Sequence, residues 1–111
     1  MVARGDVVIA VFGGGTGNKP RPAVIVQSPD FAGSITMLAI PLTSDLIGVS
    51  VGRPVFERSR TNGLKQTSCL MTDKMTPVRR DMIGDVVGKF SPIEMIKVEQ
   101  SMLIMLGMVQ A

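Results

Sequence analysis

Arg21 stands between Pro20 and Pro22, just after a run of glycines, Gly13-Gly14-Gly15-Thr16-Gly17. Proline fixes its own φ and restricts the residue before it, so Arg21 is held in extended backbone from both sides. A guanidinium on so rigid a stub, at the mouth of a glycine loop, suits the holding of an anion. The same residue reads equally well as a solvated cation at a strand start. The chain has no histidine, which removes Ser-His-Asp triads, histidine acid–base pairs and His–Cys zinc sites. Its single cysteine, Cys69, lies in an apolar run and makes no intrachain disulfide and no cysteine metal cluster, which fits a reducing cytoplasm. Catalysis, if any, falls to Arg, Lys, Asp, Glu, Ser or Thr.

The glycine run does not satisfy a nucleotide-binding pattern. The dinucleotide fingerprint needs a third glycine where Asn18 stands, and the phosphate loop needs Gly-Lys-Ser/Thr where the chain has Asn18-Lys19-Pro20. Both patterns also need a helix to start at once, which Pro20 and Pro22 oppose. The run reads instead as a hairpin connection that closes over a bound group.

The elements around it are mostly short and β-rich. Val7 to Phe12 is β-branched and bounded by glycine on both sides, and Arg21 to Gln27 forms its partner. Ser34 to Leu42 reads as a third strand, followed by Thr43-Ser44-Asp45, a turn rich in small oxygens. Val49 to Phe56, with Gly52 and Pro54, reads as an edge or bent strand. Asn62-Gly63 marks a turn. Gln66 to Thr72 is a further strand, broken by Asp73 to Pro77, and Ile83 to Phe90 is the last. One helix closes the pattern, over about 91–106. Ser91-Pro92-Ile93-Glu94 is a capping box with proline at the first helical position, and Gly107 is a natural stop. Its apolar arc is wide and rich in Met, which serves either a core or a surface shared with a second subunit; Lys97, Gln100 and Ser101 form its narrow polar face. The expectation is a mainly β fold: a small β-barrel of about six short strands with a C-terminal helix.

At 111 residues the chain makes a single domain, 1–111. The net charge of +3 permits an anionic partner without requiring one. Arg4 and Asp6 precede a short apolar run, so the N-terminus does not read as a secretory leader. No stretch reaches the roughly 18 apolar residues of a membrane span, so no membrane partner is expected.

Taken together in order, several segments resemble the MazF/PemK-like toxins (the Kid/CcdB superfamily) of type II toxin–antitoxin systems. These are Arg4-Gly5-Asp6-Val7-Val8 with Arg21-Pro22-Ala23-Val24-Ile25-Val26, then Ile40-Pro41-Leu42-Thr43-Ser44, then Thr72-Asp73-Lys74-Met75 with Ile83-Gly84, and finally Phe90-Ser91-Pro92-Ile93-Glu94, Val98-Glu99 and Leu106-Gly107. The resemblance covers nearly the whole chain. It implies an SH3-like barrel that forms a homodimer, and an mRNA interferase: an endoribonuclease that cuts single-stranded RNA at short sequences with no metal or other cofactor. The products would carry 2′,3′-cyclic phosphate and 5′-hydroxyl ends. It also implies a cognate antitoxin, with which such toxins bind DNA.

Site residues follow from the same resemblance. Arg21 and Thr43 fall on the family's catalytic arginine and threonine. Asp73 falls on an acidic residue near the scissile phosphate, there to act as base or to hold Arg21. RNA contacts are expected from Thr16, Lys19, Ser44, Lys74, Arg79 and Arg80; Arg79-Arg80 reads alternatively as a solvated turn. The chemistry is compatible: RNA carries its own nucleophile, the 2′-hydroxyl, and a guanidinium can grip two phosphate oxygens as charge develops. With four Phe and no Trp or Tyr, base stacking contributes little.

The chain departs from the family pattern in three places. The loop from Gly13 to Pro20 is short and lacks the usual Gly-Ser-Glu-Gln stretch. Met71 replaces the arginine of one branch, and Lys74 replaces the usual glutamine. Two alternatives therefore stay open: a gyrase-directed toxin of the same fold, and a catalytically weak or inactive homologue that binds antitoxin or RNA.

Overall fold

The structure, a computed structural model, describes residues 2–12 and 19–111. Strands β1 (Asp6–Val11) and β2 (Pro20–Ile25) form an antiparallel pair, with Val7 opposite Val24 and Ala10 opposite Arg21. β3 (Thr36–Thr43) follows, then the two-residue β4 (Val55–Phe56), β5 (Ser68–Leu70), β6 (Thr76–Arg79), β7 (Ile83–Lys89) and helix α1 (Pro92–Met105). The strands form one sheet in the order β4-β5-β3-β2-β1-β7, with β6 also paired to β3. Register shifts in the β1–β7 ladder mark bulges, which sharpen twist and help a sheet curl into a half-barrel.

The central strands β1, β2 and β3 are buried on both faces. Val7, Val24, Ile40 and Leu42 pack with Phe56, Phe90 and Val98 of α1. Val8, Ala10, Ala23, Ile25, Met37, Ala39 and Val78 form a second cluster among the strands themselves. Neighbouring residues of a strand point to opposite faces, so a sheet buried on both needs continuous apolar runs rather than alternation. That accounts for Val7-Val8 and for Ala23 to Val26.

The helix begins as its sequence dictates. Ser91 Oγ accepts from the Glu94 N–H at 3.1 Å and Glu94 Oε1 accepts from the Ser91 N–H at 2.8 Å. Only half of the apolar arc is core: Val98 is fully buried and Met95 and Met102 are partly so, while Ile93, Ile96, Leu103 and Leu106 are exposed. Ser101 is not on a solvated polar face. It is buried, accepts from Thr72 Oγ1 at 3.2 Å and donates to the Val98 carbonyl at 2.7 Å.

Two strand expectations change. Of Val49 to Phe56 only the last two residues are strand, because Pro54 cannot donate to a ladder; Ser50 and Arg53 close a small bridge before it. The break expected over Asp73 to Pro77 is shorter. A 3-10 turn over Thr72–Lys74 leads into β6, which pairs Pro77 with Leu38. β6 pairs with β3 alone, so its outer side tolerates proline.

Candidate active site

The β2–β3 ladder pairs Ala23 with Pro41, and there it stops. Continued by two residues on each strand, the same register puts Arg21 level with Thr43. The strands have parted by then: β3 crosses to β5, pairing Leu42 with Leu70 and Thr43 with Cys69. Pro20 to Pro22 keep their ladder to β1 on the other side. The gap between β2 and β3 opens a cavity of about 390 Å³. Lys19, Arg21, Thr43 and Ser44 line it, together with the segment Gly63 to Gln66.

Charge in this cavity is one-sided. Lys19, Arg21 and Lys65 line it, and no carboxylate does among the described residues. Arg21 is in none of the ion pairs among the described residues. Its Nε is buried without a hydrogen-bond partner there, although a buried donor normally finds one. Thr43 Oγ1 accepts from the Asp45 N–H at 3.1 Å, and Asp45 Oδ1 in turn accepts from the Ile47 N–H at 3.1 Å. The Thr43 hydroxyl thus spends an acceptor site on the turn and keeps its proton to donate.

The model of the PemK-like, MazF-like toxins of type II toxin–antitoxin systems matches residues 3–106. A curated relative, the probable endoribonuclease MazF of Mycolicibacterium smegmatis, is 31% identical over 104 residues, covering 94% of this chain and 95% of the relative. The chain belongs to this toxin family. Among solved structures it is similar to an endoribonuclease from a mycobacterial species, solved in complex with its cognate antitoxin. There the TM-score is 0.83 at 20% identity, with both chains covered completely. MazF from Deinococcus radiodurans matches with a TM-score of 0.77 at 16% identity over 96% of each chain. At such identities these structures support the fold: a β half-barrel with a C-terminal helix.

Of the site residues expected for a MazF-like toxin, the fold brings Arg21, Thr43, Lys19 and Ser44 to one cavity. Thr16 and the glycine run lie outside the described residues. Asp73 lines a different surface. Its Oδ1 accepts from Arg53 Nε at 2.6 Å, so it does not hold Arg21. The Arg53 guanidinium holds the Asp73 carboxyl below the ordinary carboxylate value, which opposes a role as base. Lys74 follows in the same 3-10 turn and does not line the cavity. Arg80 donates from Nε to the Ser34 carbonyl at 2.7 Å and from Nη2 to the Ala32 carbonyl. Arg79 pairs with Asp81 at 2.7 Å. These two arginines lie by the start of β3, where Arg79 is paired with Thr36, and do not line the cavity. Burial pushes the Cys69 thiol up, so it is no nucleophile.

Sequence reasoning missed Lys65 and Gln66 in the cavity wall and Arg53 as the partner of Asp73. Asn62-Gly63 was the only local signal near the former. Nothing local pairs residues twenty positions apart.

Proposed function

We propose that the cavity between β2 and β3 is the RNA-cleaving centre of this MazF-family endoribonuclease, with Arg21 and Thr43 as its catalytic residues. The observation that carries the reading is that Arg21, in no ion pair among the described residues, shares one cavity with the Thr43 hydroxyl, and that the charged lining of this cavity is cationic among the described residues. A polyanion is drawn to such a site, and a phosphorane gains more there than its ground state does.

In this mechanism the ribose 2′-oxygen attacks the adjacent phosphorus. The P–O5′ bond breaks, leaving a 2′,3′-cyclic phosphate and a 5′-hydroxyl. The 2′-hydroxyl loses one proton and the 5′-oxygen gains one, so the transfer is balanced; Arg21 gives an N–H proton to the 5′-oxygen as the 2′-proton replaces it, so the guanidinium ends as it began. Arg21 also grips the non-bridging oxygens in its forked geometry, and Thr43 donates a further hydrogen bond. Lys19 and Ser44 contact the RNA beside them. Asp73, through Arg53, steadies the segment after β3 instead of touching substrate.

The toxin acts in the cytoplasm as a homodimer and is neutralised by an antitoxin encoded beside it. Family membership supports the antitoxin. For self-association, the support is the apolar surface left exposed on α1 and at Leu46, Ile47 and Val51, where Gly52 approaches Ile104.

The test incubates purified protein with a long single-stranded RNA in EDTA, beside an Arg21→Ala sample, and maps the cut ends. Specific cuts with 5′-hydroxyl ends, absent from the variant, are expected. A folded protein that makes no cuts, or a variant that cuts like wild type, overturns the reading.

A further inference from the structure

The segment Gly63 to Gln66, which lines the cavity with Arg21, is fastened more firmly than a surface loop requires. Asn62 is fully buried just before it. Its Oδ1 accepts from the Ser59 and Leu64 N–H groups at 3.0 Å each, and its Nδ2 donates to the Glu57 carbonyl at 2.8 Å and to Glu94 Oε2 at 3.0 Å. The amide is therefore fully used and ties the segment to the capped start of α1. Gly63 follows with φ +70°, and a Cβ there would overlap the Val87 carbonyl; a Cβ on Gly88 would likewise overlap the Asn62 carbonyl. The far end is fastened too. Ser68 Oγ donates to the Gln66 carbonyl at 2.8 Å, and Thr67 Oγ1 donates to Glu57 Oε2 at 2.9 Å.

Between these anchors Leu64 turns inward, and Lys65 and Gln66 remain exposed at the cavity. No aromatic ring lines the cavity among the described residues, so bases are not read there by stacking. Hydrogen bonding is the remaining means, and a glutamine amide offers a donor and an acceptor to one base edge. Among the described residues the Gln66 amide makes no hydrogen bond, whereas its backbone carbonyl does.

Resting on the RNA-cleaving role of the cavity, we propose that Gly63 to Gln66 is its sequence-reading wall. Gln66 reads the edge of a base beside the scissile bond, Lys65 takes a neighbouring phosphate, and Asn62 and Ser68 are the positioning residues. A pre-organised reader discriminates because it has no freedom to follow a wrong base, and a base that cannot match leaves polar groups unpaired.

The experiment uses an RNA pool randomised over a short window, read twice: the sequences cut, and the sequences retained on immobilised protein in EDTA. For wild type, both reads are expected to show the same preference. Gln66→Ala should flatten that preference at one nucleotide, by about tenfold or more, while leaving the other positions selected. Ser68→Ala, which frees only the Gln66 carbonyl, should weaken selection at that same nucleotide. Lys65→Ala should weaken retention of all sequences alike and flatten its salt dependence by about one phosphate contact. If wild type cuts and none of these changes alters the preference or the salt slope, the inference falls and the cleavage reading stands. If wild type retains a sequence in a Gln66-dependent way without cutting, the cleavage reading falls and only base reading by Gln66 stands. If no RNA is cut or retained, both fall.

Discussion

Arg21 and Thr43 stand at one level of two strands that have parted, the first still laddered to β1 and the second already laddered to β5. Had β2 and β3 stayed paired for two more residues, both side chains would sit on a closed sheet. Their separation leaves the cavity that both line, with a donor on each strand. Removing either should therefore cost transition-state stabilisation more than binding. Arg21→Ala should lower single-turnover cleavage by about a hundredfold to a thousandfold, on the order of 2.7–4 kcal/mol. Thr43→Val should cost about tenfold or more, and Thr43→Ser should recover much of it by restoring the hydroxyl. The double variant should fall little below Arg21→Ala alone, because the two donors serve one phosphorane. Full additivity would show that they act on separate steps.

The same arginine should be a burden to the fold. Its buried Nε has no partner among the described residues, and an orphaned buried donor costs about 1–3 kcal/mol. Arg21→Met keeps an unbranched stem and removes the donor. Urea unfolding of this variant should give a stability equal to wild type or up to about 1 kcal/mol higher, with cleavage lost. A drop of more than about 1 kcal/mol would mean that the guanidinium is held by bonds that stabilise the native state.

Asp73 and Arg53 supply a pH dependence whose sign is fixed. The carboxyl is held below its ordinary value of 3.8, first by the hydrogen bond from Arg53. A group depressed on folding stabilises the native state above its unfolded value, and that contribution is lost as pH falls through the folded value. The pair is partly exposed, with side-chain exposures of 27% for Arg53 and 49% for Asp73, so solvent screening limits it to about 0.2–1 kcal/mol. Asp73→Asn should lower stability by no more than that at pH 7. The difference from wild type should shrink progressively below pH 3.8. Cleavage should survive the substitution to within about threefold, since no proton at the scissile bond is assigned to Asp73. A loss comparable with that of Arg21→Ala would restore Asp73 to the catalytic set.

What could be read from the sequence was what depends on near neighbours. The helix start at Ser91 to Glu94 is a local hydrogen-bond pattern, and it formed as its residues dictate. Gly107 ends the helix with φ +73°, as a glycine there should. The strands flanking the glycine run were legible because their apolar residues are continuous. β6 was not, since Pro77 argues against a strand and only β3, far away in the chain, provides the partner. Arg21 was visible as a cation on rigid backbone, but its company with Thr43 depends on β-register and was reached only through family resemblance. Ser101 was misplaced because helical spacing cannot distinguish a solvated hydroxyl from one that meets Thr72 across the core.

That buried hydroxyl pair makes the last prediction. Thr72 Oγ1 donates to Ser101 Oγ, which donates onward to the Val98 carbonyl, and both side chains are fully buried. The chain of bonds is asymmetric, so the two deletions should differ. Ser101→Ala leaves the Thr72 hydroxyl buried with no acceptor and should cost about 1–3 kcal/mol. Thr72→Val removes the donor and keeps the shape, leaving Ser101 still bonded to Val98. That should cost less than about 1.5 kcal/mol. With both changes made, no hydroxyl is stranded, and the double variant should be more stable than the sum of the single losses predicts, by on the order of 1 kcal/mol. Urea denaturation of all four proteins closes the cycle. Additive losses would mean that Thr72 finds another acceptor once Ser101 is gone, and that the two hydroxyls are independent.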